Sequence, residues 1–164
     1  MDHFKSLGIE TGQGKYKEEA FYGVALAYNL INKKVSDYLR PYDLNPAKLN
    51  VLMVIKHSGK SEGISQVAIG KRLIVTASNM TRLLDKLENE GLIVRSAQEG
   101  DRRVNIIKIS KKGSSILDEA WPGYVKTVDA LVEKLQTHEQ KALAGCSANF
   151  SSEIPEVITT GTLW

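Results

Sequence analysis

Apolar residues recur every three or four positions between Lys15 and Leu39, at Phe21, Val24, Ala25, Tyr28, Ile31, Val35, Tyr38 and Leu39. That period predicts an amphipathic helix of about six or seven turns, stopped by Pro41. Asn45-Pro46 predicts the next start, a capping Asn followed by Pro at the first helical position. Leu49, Leu52, Met53 and Ile55 carry that helix to Ser58-Gly59. A polar loop, HSGKSEGIS, leads to Ser65 as a second cap and a short helix over Gln66–Leu73. Ile74-Val75 make a tight connection, and Thr76 caps a helix over Ala77–Glu90. That helix sets Met80, Leu83, Leu84 and Leu87 on one face and Ser78, Asn79, Arg82 and Lys86 on the other. Gly91 stands where a left-handed residue closes a helix. Two short helices joined by a tight turn form a helix-turn-helix.

The pattern then changes period. Leu92–Arg95 and Val104–Ile109 are short β-branched runs, which predict a hairpin with Gln98-Glu99-Gly100-Asp101-Arg102 at its tip. Ser110 caps a third long helix whose apolar positions run from Ile116 to Leu135, and Pro122 inside it predicts a kink. Thr137 or His138 starts a last helix, and the tail after Pro155 has no pattern. The first fourteen residues lack periodicity and read as a loose arm. The expected fold is mainly α with a small β-wing: a winged helix-turn-helix over 41–110, flanked by an arm and helix over 1–40 and helices over 111–164.

Charge changes this picture by its distribution. The 164 residues carry a net charge of only +3, too small to mark a nucleic-acid binder. Divided along the chain, residues 1–70 carry +2, residues 71–112 carry +5 and residues 113–164 carry −4. The excess falls in the stretch that holds the second helix of the helix-turn-helix and the hairpin, the footprint expected for a polyanion. A major groove admits one helix and shows a distinct donor and acceptor pattern for each base pair. A hairpin arginine fits the narrow, negative minor groove.

The run Asp101-Arg102-Arg103-Val104-Asn105-Ile106-Ile107-Lys108-Ile109-Ser110 resembles the wing signature of MarR-family transcriptional regulators. That signature is an Asp, any residue, an Arg, five residues, then Leu-Thr or a relative, for which Ile109-Ser110 stand here. Leu44-Asn45-Pro46-Ala47, Ile64-Ser65-Gln66, Met80–Glu88 with Gly91–Arg95, and Lys111-Lys112-Gly113 with Ala120-Trp121-Pro122 resemble further family segments in the family's order. The match spans about residues 15–140. Gly70 departs from the pattern, which usually has a small helix former such as Ala, and close helix packing is one reason for a glycine there.

The resemblance implies a homodimer, in which the terminal helices of two chains interlock. Both terminal segments agree with it, being richer in apolar residues than one small winged helix can bury. A dimer presents two recognition helices about 34 Å apart and prefers an inverted-repeat operator. Thr76, Ser78, Asn79 and Arg82 are then expected at the major groove and nearby phosphates, with Lys86 on a phosphate and Ser65 and Gln66 on the backbone. Asp101 orients one of Arg102 and Arg103, and one of these two enters the minor groove. Arg95 adds a phosphate contact or solubilises its strand. The family commonly senses small aromatic ligands, oxidants or metals in a crevice between dimer and DNA-binding parts. Tyr28, Tyr38, Met53, His57, Trp121 and Tyr124 are the candidate lining, with dimer core as the competing use of the same aromatics. Arg40 is a nearby cation for a ligand carboxylate.

Other classes find little support. The longest stretch without a charged residue is Ala20–Asn32, thirteen residues, where a membrane span needs about 20. No leader is visible, and one cysteine, Cys146, forms no intrachain disulfide, so the expected compartment is the cytoplasm. Cys146 reads as a small interface residue, not a redox centre. His3, His57 and His138 lack metal-ligand spacing, and no metal or cofactor is expected. Ser58-Gly59-Lys60-Ser61 contains the end of a phosphate loop, but Val54 stands where that loop needs glycine. The alternative of another class is a winged helix that binds proteins and not specific DNA.

Overall fold

The computed structural model describes residues 3–6, 8, 9, 11, 12, 14–73, 77–98 and 101–151. One helical turn, α1 (His3–Ser6), precedes α2 (Tyr16–Leu39), so the arm is not wholly without structure. The Gly12 amide donates to Glu19 Oε1 at 2.8 Å and ties the arm to α2. A 3-10 turn over Arg40–Tyr42 follows, with Asp43 in the left-handed region (φ 54°). Helix α3 (Pro46–Gly59) starts as the sequence predicts: the Asn45 side chain accepts from the Lys48 amide at 2.9 Å.

Ile64–Ser65 forms a two-residue strand, β1, where the sequence showed only loop and cap. Its ladder comes from far along the chain, Ile64 opposite Ile107 and Ser65 opposite Ile106. Gly63 makes this pairing possible. Its φ is +83°, and a Cβ there would lie 2.6 Å from Ile106 and 2.9 Å from the Ile107 carbonyl oxygen. Ser65 also caps α4 (Gln66–Gly70), accepting from the Ala68 amide at 3.2 Å. This helix is shorter than the predicted Gln66–Leu73. No described atom lies within 4 Å of a Cβ built at Gly70, so close packing is not what its glycine serves.

Helix α5 (Ala77–Asn89) ends in a left-handed Gly91 (φ +72°). The Leu92 amide bonds back to Leu87 O and the Gly91 amide to Glu88 O, the paired bonds of a glycine-closed helix end. Strands β2 (Ile93–Gln98) and β3 (Asp101–Ile109) form an antiparallel hairpin longer than predicted, irregular at Ala97/Gln98. The sheet order is β1-β3-β2. Ser110 caps α6 (Lys111–Val132), which continues through Pro122, and α7 (Thr137–Ser151) follows. Gly113 is where α6 touches the wing: a Cβ there would sit 2.1 Å from the Leu92 carbonyl oxygen.

One apolar cluster joins these elements. Leu49, Val51, Leu52 and Ile55 of α3 meet Ile69, Met80, Leu84, Leu87, Ile93 and Ile107, and Leu117, Ala120 and Tyr124 of α6 extend the cluster towards Val35 and Leu39 of α2. The sheet is a buttress on one side of this core, and α5 lies across it with one face outward.

Candidate nucleic-acid interface

The core contacts of Met80, Leu84 and Leu87 decide which face of α5 is outward. Ser78, Asn79, Thr81, Arg82 and Lys86 are exposed, as the helical period requires. Gln66 Nε2 donates to Thr81 Oγ1 at 2.8 Å, joining the start of α4 to this face. Thr81 was not singled out from the sequence, although it adjoins Arg82. Thr76 lies outside the described residues, as do the side chains of Asp101, Arg102 and Arg103. The backbone of the latter three opens β3 at the hairpin tip.

Carboxylates near a phosphate oppose its binding. Both carboxylates of α5, and Glu90 at its end, are met by cations from other elements. Arg95 Nη1 of β2 donates to Asp85 Oδ1 at 2.7 Å and lies 3.2 Å from Glu88 Oε2. Lys48 of α3 donates to both oxygens of Glu90 at 2.7 Å. The exposed cations Arg82 and Lys86 are therefore left to set the sign of the outer face. Arg95 braces wing against helix: Asp85 and Glu88 engage its Nη1, and its Nε and Nη2 are buried with no hydrogen-bond partner among the described residues. Lys48, only 4% exposed, carried no sequence signal, because its partner is 42 residues away.

A cavity of about 100 Å³, open on one side, lies between α3, the end of α4 and α6. Met53, His57, Trp121 and Tyr124 line it together with Arg72 and Leu73, the last described residues before α5. The Trp121 and Tyr124 rings lie 5.3 Å apart at 31°. Burial raises the Tyr124 phenol above its ordinary range. Two of the six expected lining residues are elsewhere. Tyr28 is 66% exposed on α2. Tyr38 donates to the Ala120 carbonyl at 2.9 Å, with burial and the Tyr42 hydroxyl pushing its pKa up to about 12. Arg40 pairs with Asp37 and lines a different cleft. Arg72, which donates to the Ala68 carbonyl at 2.9 Å, is the cation the cavity has instead. Cys146 is exposed on α7. No helix among the described residues is long and apolar enough to cross a membrane.

The sequence profile of the MarR family matches residues 42–104, from the 3-10 turn to the wing. MhqR, an HTH-type transcriptional regulator of Bacillus subtilis (strain 168), is 29% identical over 119 residues, 73% of this chain and 80% of its own length. The chain is similar to MarR-family regulators, its residues 42–104 matching that family's own pattern. Among solved structures, the transcriptional repressor CouR bound to a 23-mer DNA duplex is 28% identical, with a TM-score of 0.73 over 87% of this chain and 99% of that one. The MarR-family regulator Sco3205 from Streptomyces coelicolor, in complex with DNA, superposes with a TM-score of 0.78 over 94% of this chain and 96% of that one. At 17% identity, this second match is a likeness of MarR fold alone. A mostly helical fold with a small three-stranded antiparallel sheet is what this chain shares with such MarR structures.

Proposed function

We propose that this chain is a DNA-binding transcriptional regulator that acts as a homodimer on an inverted-repeat operator. α5 enters the major groove, with Ser78, Asn79 and Arg82 reading base edges and near phosphates and Lys86 on the backbone. Ser65, Gln66 and Thr76 support it from the turn side, and Arg102 or Arg103, oriented by Asp101, enters the minor groove. Arg95 acts through α5. The observation that carries this reading is the charge pairing on α5, whose described carboxylates are each engaged by a cation from another element while Arg82 and Lys86 face out. The MarR relatives, among them a repressor bound to duplex DNA, support the same use of the fold. Repression of neighbouring genes follows from that kinship.

The cavity beside Trp121 and Tyr124 is the place for an effector in this reading. Its aromatic wall and the Arg72 guanidinium suit a small aromatic molecule carrying a negative group. Because Arg72 and Leu73 lie just before α5, such a ligand acts on the turn that sets the recognition helix. It changes DNA affinity only by binding the two arrangements of that helix unequally.

Titration with the DNA upstream of its own gene tests the proposal. Arg103→Ala should weaken operator binding by about tenfold or more and flatten its salt dependence, since a lost phosphate or groove contact releases fewer counterions. Equal affinity at matched salt removes Arg103 from the wing contact. Binding no tighter than to random duplex favours a protein-interaction module.

A further inference from the structure

The end of α5 that points away from Ser78 and Asn79 is fixed with unusual directionality. Lys48 Nζ has three N–H donors and uses them on three acceptors: both oxygens of Glu90 and the Asp43 carbonyl at 2.8 Å. Its side chain is 5% exposed and that of Glu90 31%. The Asp43 carbonyl is delivered by a left-handed residue, a conformation Asp adopts more readily than most side chains. From the other side, Lys112 Nζ donates to the Glu90 carbonyl at 2.8 Å and Ser110 Oγ to the Gly91 carbonyl at 2.7 Å. α3 thus holds the side chain, and the start of α6 holds the backbone, of one short segment.

Burying a charge pair contributes little net stability, because desolvation offsets attraction; its return is a fixed geometry. Geometry matters here because apolar packing at Met80, Leu84 and Leu87 is non-directional and leaves small rotations of α5 soft. At 1.5 Å per residue, Ser78 lies about 18 Å along the helix from Glu90. A tilt of about 10° about that end moves the reading residues by about 3 Å, more than a base-edge hydrogen bond tolerates.

We propose that Lys48 is a positioning residue for operator binding: through Glu90 it sets the direction in which α5 presents its reading face, while touching no DNA itself. This rests on the DNA-binding reading above. The sign of one substitution separates positioning from electrostatics. Glu90→Ala removes a negative charge close to the recognition helix. If charge alone mattered, it would tighten binding to every duplex.

The test measures the affinity of wild type, Lys48→Met, Lys48→Arg and Glu90→Ala for operator and for random duplex at one salt concentration, with folded fraction read by circular dichroism. The expected result is a loss of about fivefold or more in operator affinity for Lys48→Met and for Glu90→Ala. Random-duplex affinity changes less than operator affinity for the first, falling slightly with the lost positive charge, and is unchanged or tighter for the second. Lys48→Arg recovers much of the loss. Because Glu90 is partly exposed, Glu90→Ala carries the test if Lys48→Met does not fold. Folded variants that keep the wild-type ratio of operator to random affinity overturn the positioning role. A wild-type chain that shows no operator preference overturns the DNA-binding reading beneath it.

Discussion

Between Val35 and Tyr124 the chain keeps every buried apolar side chain among its described residues, whereas α2 before Val35 and the described side chains of α7 bury none. The first region is a winged helix with a closed core, three capped helix starts and the carboxylates of α5 paired. The second exposes Phe21 (70%), Tyr28 (66%), Val24 (56%) and Leu143 (53%) to solvent. Scattered exposed apolar residues need no explanation, but a stripe along one helix marks a surface made for contact. The contrast agrees with the proposed homodimer: the winged helix closes its own core, and the terminal helices keep an apolar stripe that a second copy would cover.

The largest effect should follow from breaking the second region while leaving the first alone. Phe21→Asp combined with Ile31→Asp puts charge on the α2 stripe. It should convert the protein to monomer by sedimentation and lower operator affinity by about a hundredfold or more, because one half-site replaces two. The near-ultraviolet signature of the winged-helix core should persist. A dimer that survives the double substitution would mean that α2 is not the interface.

The reverse experiment attacks the first region. Gly113→Ala places a methyl group 2.1 Å from the Leu92 carbonyl oxygen, so backbone must shift to admit it. It should cost about 2–3 kcal/mol of unfolding free energy, measured by denaturant titration. Arg82→Ala acts on the outer face alone. Operator affinity should fall about tenfold, and the slope of log affinity against log salt should shrink by about one, with stability unchanged. The smallest change is a gain. Gly70→Ala meets no described atom within 4 Å and should stabilise the protein by about 0.4–1 kcal/mol.

The two regions also differ in how much of them the sequence reveals. Asn45, Ser65, Ser110 and Gly91 could be placed because capping is local, a side chain acting on an amide three residues on. The outward face of α5 was legible for the same reason, the period of one helix. Strand β1 was not. Two residues carry no period, and their partners Ile106 and Ile107 come from the far side of the wing. Lys48 was not legible either, because a buried lysine is expected only once its carboxylate is known. The aromatic set divided because helical spacing orders residues within one helix but does not say which neighbour each face meets. Tyr38 turns to the Ala120 carbonyl and Gly123 of α6, while Trp121 and Tyr124 turn to α3.

The central claim is that the polar face of α5 and the wing read DNA as a pair of copies. A titration of the full chain against duplex from upstream of its own gene, at two salt concentrations and beside random duplex of equal length, tests it most directly. The account predicts two chains per operator and a preference for operator over random duplex that persists at the higher salt. Equal affinity for both duplexes at each salt concentration would contradict it.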